Sequence, residues 1–241
     1  MIQISCVTKR YGDLVAVDGV NLELGDEIFA LLGRNGAGKS TLIKMLVGVF
    51  PPDQGQIAVF GHDVRRAPLA AKREVGYLPE NLVLYPRLTI QEFLLFLAGI
   101  RNMETRSAGS SEAEIRELLQ YFGLWERKHV FIQECSLGML KRVGLVGALV
   151  GPQRLIVLDE PLNGLDVENI RLLRQRLRRL REQGRTILLA SHILSFVEEV
   201  SDRVGIIHHG RMKAIGTVKE IKALAGDGGL SMEESFFRLT S

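Results

Sequence analysis

The residues with the clearest chemical meaning in this chain form the segment G-R-N-G-A-G-K-S-T at 33–41. The apolar run 28–32 precedes it and L-I-K-M-L at 42–46 follows it, which predicts a strand before it and a helix after it. In that setting the pattern G-x-x-x-x-G-K-[ST] turns backbone N–H groups toward a polyphosphate at the positive end of the helix. Lys39 would reach the β- and γ-phosphates, and the hydroxyl of Ser40 is a ligand that Mg²⁺ accepts. The predicted phosphate contacts are Gly33, Asn35, Gly36, Ala37, Gly38, Lys39, Ser40 and Thr41.

Two carboxylates, Asp159 and Glu160, follow the apolar run 155–158. An uninterrupted apolar run is typical of a strand covered on both faces, and ligands of open parallel sheets bind at the carboxyl ends of such strands. Asp159 is placed to hold Mg²⁺ through its waters, and Glu160 could accept a proton from an attacking water. A pair of solvated charges at a strand end is the alternative, which the phosphate-binding segment makes the less favoured one.

A histidine follows a third predicted strand. The run 186–190 is apolar and delivers His192 to the same end of the sheet. A histidine in isolation is more often structural than functional. Because it follows a core strand, His192 is a candidate contact of the γ-phosphate. A last core strand is predicted at 204–207, with His208 and His209 in an exposed turn after it.

An arginine-rich helix is predicted between the capping residue Asp166 and Gly184, with one apolar stripe and one basic face. Nucleic acid or anionic lipid could bind such a face. However, no aromatic residues interleave for base stacking, so a solvated helix face is favoured. The net charge of +3 is too small to imply a nucleic-acid partner by itself.

Length and composition bound the remaining possibilities. The 241 residues, 46% of them apolar, suffice for one domain with a sizeable core. The two cysteines, Cys6 and Cys135, form no C-x-x-C pair, which predicts neither a disulfide framework nor a zinc site and favours a reducing compartment. No apolar run approaches the roughly 18 residues of a membrane helix, and the N-terminus does not resemble a signal peptide. We therefore expect a soluble, cytoplasmic protein.

The first 60 residues are predicted to form strands. Polarity alternates with a period of two, as in the run from Ile2 to Cys6, which indicates half-buried antiparallel strands. A turn at 9–13 carries Tyr11, which alone has no clear functional meaning.

The middle of the chain is predicted to be helical, because its apolar residues recur with a helical period. The segment T-I-Q-E at 89–92 is a capping box for one helix, Ser111 opens a second, and a third lies within 136–151. A polar linker at 103–110 joins the first two. A helical block of about 65 residues therefore interrupts the α/β chain.

Taken in order, these motifs resemble one family nearly from end to end, the ATP-binding cassette (ABC) ATPases that drive ABC transporters. The segment at 33–41 is similar to the Walker A loop of that family, and Asp159 with Glu160 is similar to its Walker B pair. The resemblance further implies that Tyr11 stacks on adenine, that the segment 163–166 is the D-loop, and that His192 is the switch histidine.

The family signature, usually L-S-G-G-Q, corresponds here to C-S-L-G-M at 135–139. In the family it reaches across a dimer to the γ-phosphate of the partner's nucleotide, so that two chains make two sites. Leu137 replaces the first glycine and Met139 replaces the glutamine. The Ser136 hydroxyl, the Gly138 N–H group and the helix N-terminus remain as phosphate donors, so we expect function to survive.

Glu80 is a second departure, since the family normally has glutamine there, in contact with Mg²⁺ and the attacking water. Glutamate keeps an acceptor oxygen but loses the amide donor and adds negative charge beside a triphosphate. The resemblance still implies a metal-binding and catalytic role for Glu80. With the segment S-M-E-E-S-F-F at 231–237, these departures resemble the branch that works with ABC-2-type permeases, most of them exporters.

The resemblance implies an α/β fold with a P-loop NTPase (RecA-like) core, an N-terminal antiparallel β-subdomain and an inserted α-helical subdomain. Residues 1–241 would form a single ABC ATP-binding domain. Its nucleotide-binding core would comprise 1–85 and 152–241, and its helical subdomain, with the signature, would comprise 86–151.

The resemblance also implies a function and its partners. The chain would bind ATP and Mg²⁺, hydrolyse ATP, dimerise with an identical or different second cassette, and power transport through a separate integral membrane permease. It would lie on the inner face of the cell membrane, with no direct contact to nucleic acid. The catalytic residues would be Glu160, His192, Lys39 and Glu80, and the metal-binding residues would be Ser40, Asp159 and Glu80.

Two alternatives stay open at this point. One is a soluble ABC ATPase that acts on nucleic acid or ribosomes, although such proteins usually carry two cassettes or a long coiled coil. The other is a different P-loop protein, such as a GTPase or a small-molecule kinase, although the sequence has no N-K-x-D guanine motif.

Overall fold

Strands in two sheets, with helices packed around them, make up a computed structural model that describes residues 1–101, 108–226 and 230–240. The strands are β1 (Ile2–Tyr11), β2 (Leu14–Leu24), β3 (Ile28–Leu32), β4 (Gln54–Val59), β5 (His62–Asp63), β6 (Val75–Leu78), β7 (Leu155–Asp159), β8 (Thr186–Ala190), β9 (Arg203–His208) and β10 (Arg211–Gly216). The α-helices are α1 (Lys39–Leu46), α2 (Pro68–Arg73), α3 (Ile90–Arg101), α4 (Ala108–Tyr121), α5 (Leu137–Leu149), α6 (Val167–Glu182), α7 (Leu194–Val200), α8 (Val218–Ala225) and α9 (Met232–Thr240).

The larger sheet has the strand order β10-β9-β3-β8-β7-β6 and is parallel except at one edge, where β10 pairs antiparallel with β9. Every residue of β3, β7 and β8 is buried, so the three core strands predicted from apolar runs are confirmed. The register pairs Ala190 with both Leu31 and Asp159. The carboxyl ends of β3, β7 and β8 therefore meet at one edge of the sheet, where ligands of such sheets bind.

Successive residues of the core strands face two separate hydrophobic cores, because side chains alternate across a sheet. On β3, Phe29 and Leu31 pack with α1 and with the smaller sheet. Ile28, Ala30 and Leu32 pack on the other side, in the core that contains residues of α3 to α9. The strand is thus fixed from both faces before its carboxyl end enters the glycine-rich segment.

The smaller sheet, of strand order β2-β1-β4-β5, is antiparallel, as predicted for the first 60 residues. The prediction that Cys6 follows the buried alternation is wrong. Cys6 is exposed with φ of 49°, in a bulge between Ile4 and Val7. The bulge adds one residue to β1, so that Val7 instead takes the next buried position.

Two turns also differ from the prediction. The turn predicted at 9–13 is shorter, because β1 continues to Tyr11. The strand predicted at 204–207 is not the last one, since the chain turns at His209 and Gly210 into β10. The φ values of 47° and 76° at these two residues are typical of a tight hairpin turn.

The predicted helical block is confirmed by α3, α4 and α5. The capping box at the start of α3 is formed: the Glu92 N–H group donates to the Thr89 hydroxyl over 3.2 Å, and the Thr89 N–H group donates to the Glu92 carboxylate over 2.8 Å. At the start of α5, the Ser136 hydroxyl accepts from the Met139 N–H group over 3.3 Å. Both helices therefore begin where their caps predict.

The second helix of the block begins earlier than predicted. α4 starts at Ala108, three residues before Ser111, and so takes up the end of the predicted linker 103–110. Residues 103–107 of that linker lie outside the described residues. The proposed limits of the helical subdomain, 86–151, stay a prediction, and α3 to α5 lie within them.

The arginine-rich helix α6 starts at its predicted cap, where Asp166 accepts from the Asn169 N–H group over 2.8 Å, and ends before Gly184. Several of its arginines form ion pairs with nearby carboxylates, and exposed ion pairs of this kind contribute little to stability. The pairs are Arg171–Glu168, Arg174–Glu199, Arg176–Glu117 and Arg181–Asp202.

No helix in the described part of the chain combines the length and apolarity that crossing a bilayer requires.

Candidate nucleotide site

The glycine-rich segment turns sharply between β3 and α1. Gly36 and Gly38 have left-handed φ values of 79° and 110°, which other residues rarely adopt. A Cβ at Gly33 would lie 2.6 Å from the Ile207 carbonyl oxygen. One at Gly38 would lie 2.4 Å from the Ala16 carbonyl oxygen. Only glycine lets the backbone pass this closely, and α1 begins directly after it with its free N–H groups at the loop.

Lys39 is the first residue of α1 and is 7% exposed. Its ammonium group donates to the Gly33 carbonyl oxygen over 2.6 Å, which holds it within the loop. Burial lowers the pKa of Lys39. Carboxylates act in the opposite direction on this pKa, from Glu160, Asp159 and Glu80. The loop thus combines one buried cation with the backbone N–H groups that surround it.

Asp159 ends β7, is 2% exposed, and forms a side-chain hydrogen bond with Ser40. Its Oδ1 atom has no hydrogen-bond partner among the described residues, which is unusual for a buried oxygen. Burial raises the pKa of Asp159; the hydrogen bond from Ser40 opposes this shift, and the charges of Glu80 and Glu160 add to it. An unpartnered carboxylate oxygen beside a hydroxyl is a donor set that fits a hard divalent cation such as Mg²⁺.

Glu160, directly after β7, and His192, two residues after β8, form a pair. The Glu160 Oε2 and His192 Nδ1 atoms are 2.8 Å apart. Glu160 is 6% exposed, whereas the His192 side chain is 60% exposed. The backbone of Glu160 has φ of 48°, and its N–H group donates to the Ala190 carbonyl oxygen over 2.8 Å. The chain therefore turns immediately after β7, and this turn separates the Glu160 carboxylate, which meets His192, from that of Asp159.

A cavity of about 430 Å³ brings most of the predicted residues together. Gly33 and His192 line an adjoining cavity of about 380 Å³ instead, and Arg34 and Asn35 line both. The predicted residues of the first cavity are Tyr11, Asn35, Gly36, Ala37, Gly38, Lys39, Ser40, Thr41, Glu80, Asp159 and Glu160.

Tyr11 lines the first cavity and is 49% exposed. It packs edge to face against Phe50, with 6.2 Å between the ring centroids. The Lys9 ammonium lies 5.8 Å from the centroid of the Tyr11 ring. The ring is thus held in place and still offers exposed area on which a planar base could stack.

Sequence reasoning missed part of the cavity wall, namely residues 14–16 and the turn His209–Gly210. The Gly210 N–H group donates to the Ala37 carbonyl oxygen over 2.9 Å, which ties the β9–β10 hairpin to the phosphate loop. A His-Gly pair between two apolar runs is compatible with a tight hairpin and could have revealed β10. No local pattern indicates that the same turn meets a loop so far away in the sequence.

The signature residues lie outside both cavities, at the start of α5. Ser136 is exposed, and Leu137 is 74% exposed. Gly138 approaches the D-loop, since a Cβ there would lie 3.2 Å from the Gly164 carbonyl oxygen. Within this chain, the groups predicted to donate to phosphate from the signature therefore do not line the cavities that the phosphate loop lines.

The parallel sheet, the glycine-rich loop before α1 and the carboxylates after β7 define a P-loop nucleotide-binding protein of the ATPase type. The chain belongs to the ABC transporter family, whose model matches residues 17–163. The predicted fold class is confirmed by this match and by the structural comparison that follows.

Two bacterial ATP-binding proteins and one solved structure are similar to this chain over most of its length. The linearmycin resistance ATP-binding protein LnrL of Bacillus subtilis is 37% identical over 94% of this chain and 73% of its own length. The bacitracin transport ATP-binding protein BcrA of Bacillus licheniformis is 39% identical over 88% of this chain and 68% of its own length. A solved structure of the ATP binding subunit of an ABC transporter has a TM-score of 0.94 and 34% identity, over the whole of both chains.

These findings confirm the predicted activity. The chain is an ATP-binding, ATP-hydrolysing subunit of an ABC transporter. They do not favour a soluble ATPase acting on nucleic acid or ribosomes, and membership of this family replaces the GTPase and kinase alternatives. The roles of the individual residues remain predictions.

Proposed function

We propose that this chain is one half of a pair of cassettes that closes around two ATP·Mg²⁺ complexes and drives export through a separate membrane permease. One observation carries the proposal: the phosphate loop, Asp159 with its unpartnered oxygen, and the Glu160–His192 pair converge at one edge of the sheet. A site of this kind can bind a polyphosphate, hold a cation and activate a water.

Binding of ATP would begin at the loop. The N–H groups of the loop and the ammonium of Lys39 would hold the phosphates. The exposed ring of Tyr11 would stack on the adenine. His209, which lines the same cavity, would narrow the space left for the nucleoside.

Ser40 and Asp159 would hold Mg²⁺, and Glu80, which lines the same cavity, would offer a further acceptor oxygen. When bound, the ion neutralises charge on the phosphate oxygens. Glu80 brings a negative charge where a glutamine amide would bring none, so this chain must balance more negative charge around the phosphates than its relatives with glutamine.

Glu160 would be the base of the reaction. Its buried carboxylate can accept a proton from a water that attacks the γ-phosphorus. The contact with His192, at 2.8 Å, would fix the orientation of that carboxylate. His192 in turn lines a cavity together with residues 33–35 of the phosphate loop. Because the His192 side chain is largely exposed, its orientation is the part of this pair most easily changed by a neighbouring chain.

A second cassette would complete the site. Ser136 and Gly138 lie at a helix N-terminus where Ser136 is exposed, and neither residue lines the cavity of their own phosphate loop, so they would meet a phosphate bound to another chain. Contacts made only in the closed pair would shift the equilibrium toward closure when ATP is bound, and hydrolysis would release it.

Export, rather than import, is proposed from the relatives. LnrL is named for resistance to linearmycin and BcrA for transport of bacitracin. A cassette of this type would lie on the inner face of the cell membrane, bound to its permease, and the identity of that permease would define the cargo.

The experiment is to follow nucleotide binding and oligomeric state together. With Mg·ATP, the non-hydrolysing variant Glu160→Gln should change from monomer to dimer in light scattering, and with ADP it should remain a monomer. Lys39→Ala should lower ATP affinity by about 10- to 100-fold and prevent the dimer. Parent-like ATP binding by Lys39→Ala, or a variant Glu160→Gln that stays monomeric with ATP, would contradict the proposal.

A further inference from the structure

A lysine in the helix that follows the signature has no role in the site as described so far. Lys141 lies one turn into α5 and is only 5% exposed. Lysine is among the residue types least often buried, because its ammonium group loses hydration. A buried lysine beside an ATPase site therefore raises the question of which negative charges lie near it.

The packing of α5 shows where Lys141 lies. Residues three apart on a helix share a face, and Lys141 is midway between Gly138 and Gly144. Gly138 approaches the D-loop, which follows Glu160 by a few residues. A Cβ at Gly144 would lie 2.6 Å from a methyl group of Leu82, in the segment after β6 that also carries Glu80. Lys141 is thus on the face of α5 between the D-loop and the segment that carries Glu80.

Electrostatics agree with this placement. Burial lowers the pKa of Lys141, whereas the negative charges of Asp159, Glu160 and Glu80 act to raise it. The same carboxylates act on Lys39 from the side of the phosphate loop. The same three carboxylates therefore act on the pKa of one lysine from the core and of one lysine from the helical block.

We propose that Lys141 is a positioning residue whose charge offsets that of Glu80 and so keeps the carboxylates of Asp159 and Glu160 oriented for the cation and the attacking water. This inference rests on the proposed function. It explains how the site tolerates a glutamate at position 80: the added negative charge is met by a buried cation on α5. It also connects the signature, one turn earlier on α5, to the catalytic carboxylates through a single charge.

A purely structural role makes a different expectation. In that case the methylene chain of Lys141 fills space in the helical block, its charge has no effect on the reaction, and a neutral side chain of similar length preserves turnover. The charge of Glu80 would then have no influence on the effect of changing Lys141.

The test is a double-mutant cycle in the full-length protein, with kcat and KM for Mg·ATP measured for the parent, Lys141→Gln, Glu80→Gln and the variant with both changes. We expect Lys141→Gln to lower kcat about tenfold with little change in KM, because the charges act on orientation rather than on the phosphate loop. With Glu80→Gln present as well, kcat should recover to within about threefold of the parent, because both charges are then removed.

Matched variants separate charge from packing. Lys141→Arg keeps the charge and should retain kcat within about threefold. Lys222→Gln removes a lysine whose charge pairs with Glu198 on the surface, and it should leave kcat unchanged. Melting temperatures of all variants show whether a loss of kcat follows a loss of folded protein, and if Lys141→Gln does not fold, the Arg variant and the doubly changed variant still decide the outcome.

Several results would overturn the inference: parent-like kcat in Lys141→Gln, loss of kcat in Lys141→Arg equal to that in the Gln variant, or effects of the two changes that simply multiply. These failures are distinct from failure of the proposed function, which would appear as unchanged ATP binding in Lys39→Ala and unchanged turnover in Glu160→Gln while the Lys141 series is still measurable.

Discussion

Two regions of this chain are expected to meet a phosphate, and they are built differently. At the edge of the parallel sheet, Lys39, Asp159 and Glu160 are all buried and held by strands or by the loop itself. At the start of α5, Ser136 and Leu137 are exposed, and the Ser136 hydroxyl caps the helix. A rigid, buried edge is suited to chemistry, which depends on fixed geometry. An exposed helix end is suited to a contact that forms and breaks with closure, so we expect the core to determine the reaction and the helical block to determine when it occurs.

The largest effect on hydrolysis should come from a change at the edge of the parallel sheet. Glu160→Gln keeps the size of the side chain and removes its ability to accept a proton, so hydrolysis should fall by about 10² to 10⁴ while ATP binding persists. Release of phosphate and binding of a fluorescent nucleotide measure the two parts. Glu198→Gln, which removes a surface carboxylate paired with Lys222, is the control. Unchanged turnover in Glu160→Gln would remove this residue as the base.

The rigidity of the loop should appear in stability. Gly38→Ala places a Cβ against the Ala16 carbonyl oxygen and at φ of 110°, so we expect the free energy of unfolding to fall by about 2–4 kcal/mol in the absence of nucleotide. Gly99→Ala, in α3, meets no atom within 4 Å and should stabilise the protein by up to about 1 kcal/mol. Urea denaturation measures both, and equal stabilities of the two variants would contradict a tightly constrained loop.

A smaller effect is expected at the signature. Ser136→Ala removes one donor to a phosphate of the other chain, so ATPase activity should fall about tenfold while nucleotide affinity of the single chain is unchanged. Ser136→Thr keeps both hydroxyl and cap and should be close to the parent.

Mixing two impaired variants sharpens the comparison. If the core and the signature act on the same site from different chains, an equimolar mixture of Ser136→Ala and Glu160→Gln chains contains mixed dimers with one intact site. We expect the mixture to regain activity above that of either variant alone. A mixture no more active than its components would mean that the two regions act within one chain.

The sequence was most informative where chemistry and regular structure coincide. The spacing of Gly33, Gly38 and Lys39, with strand and helix patterns on either side, suffices to predict the loop, and the apolar runs before Asp159 and His192 suffice to predict the strands that bring these residues to one edge. Such patterns depend on residues that are close together in the sequence, so they can be recognised before the fold is known.

The features that were missed depend on contacts between distant segments. The bulge at Cys6 adds one residue to a strand without interrupting its composition, so the alternation gave the wrong face for that residue. The hydrogen bond from Gly210 to Ala37 and the burial of Lys141 exist only once the chain has folded. A lysine on a helix is ordinarily assigned to solvent, whereas Lys141 is 5% exposed in a helix whose Gly144 packs closely against Leu82.

The left-handed backbone of Glu160 has a consequence for engineering. A non-glycine residue at φ of 48° lowers the free energy of unfolding by about 1–3 kcal/mol, and the packing of the neighbouring strands must offset this cost. Asparagine or glycine would adopt the same backbone more easily. A selection for heat resistance alone would therefore favour replacement of the Glu160 carboxylate. Variants of this chain that are chosen by melting temperature need to be assayed for turnover before they are kept.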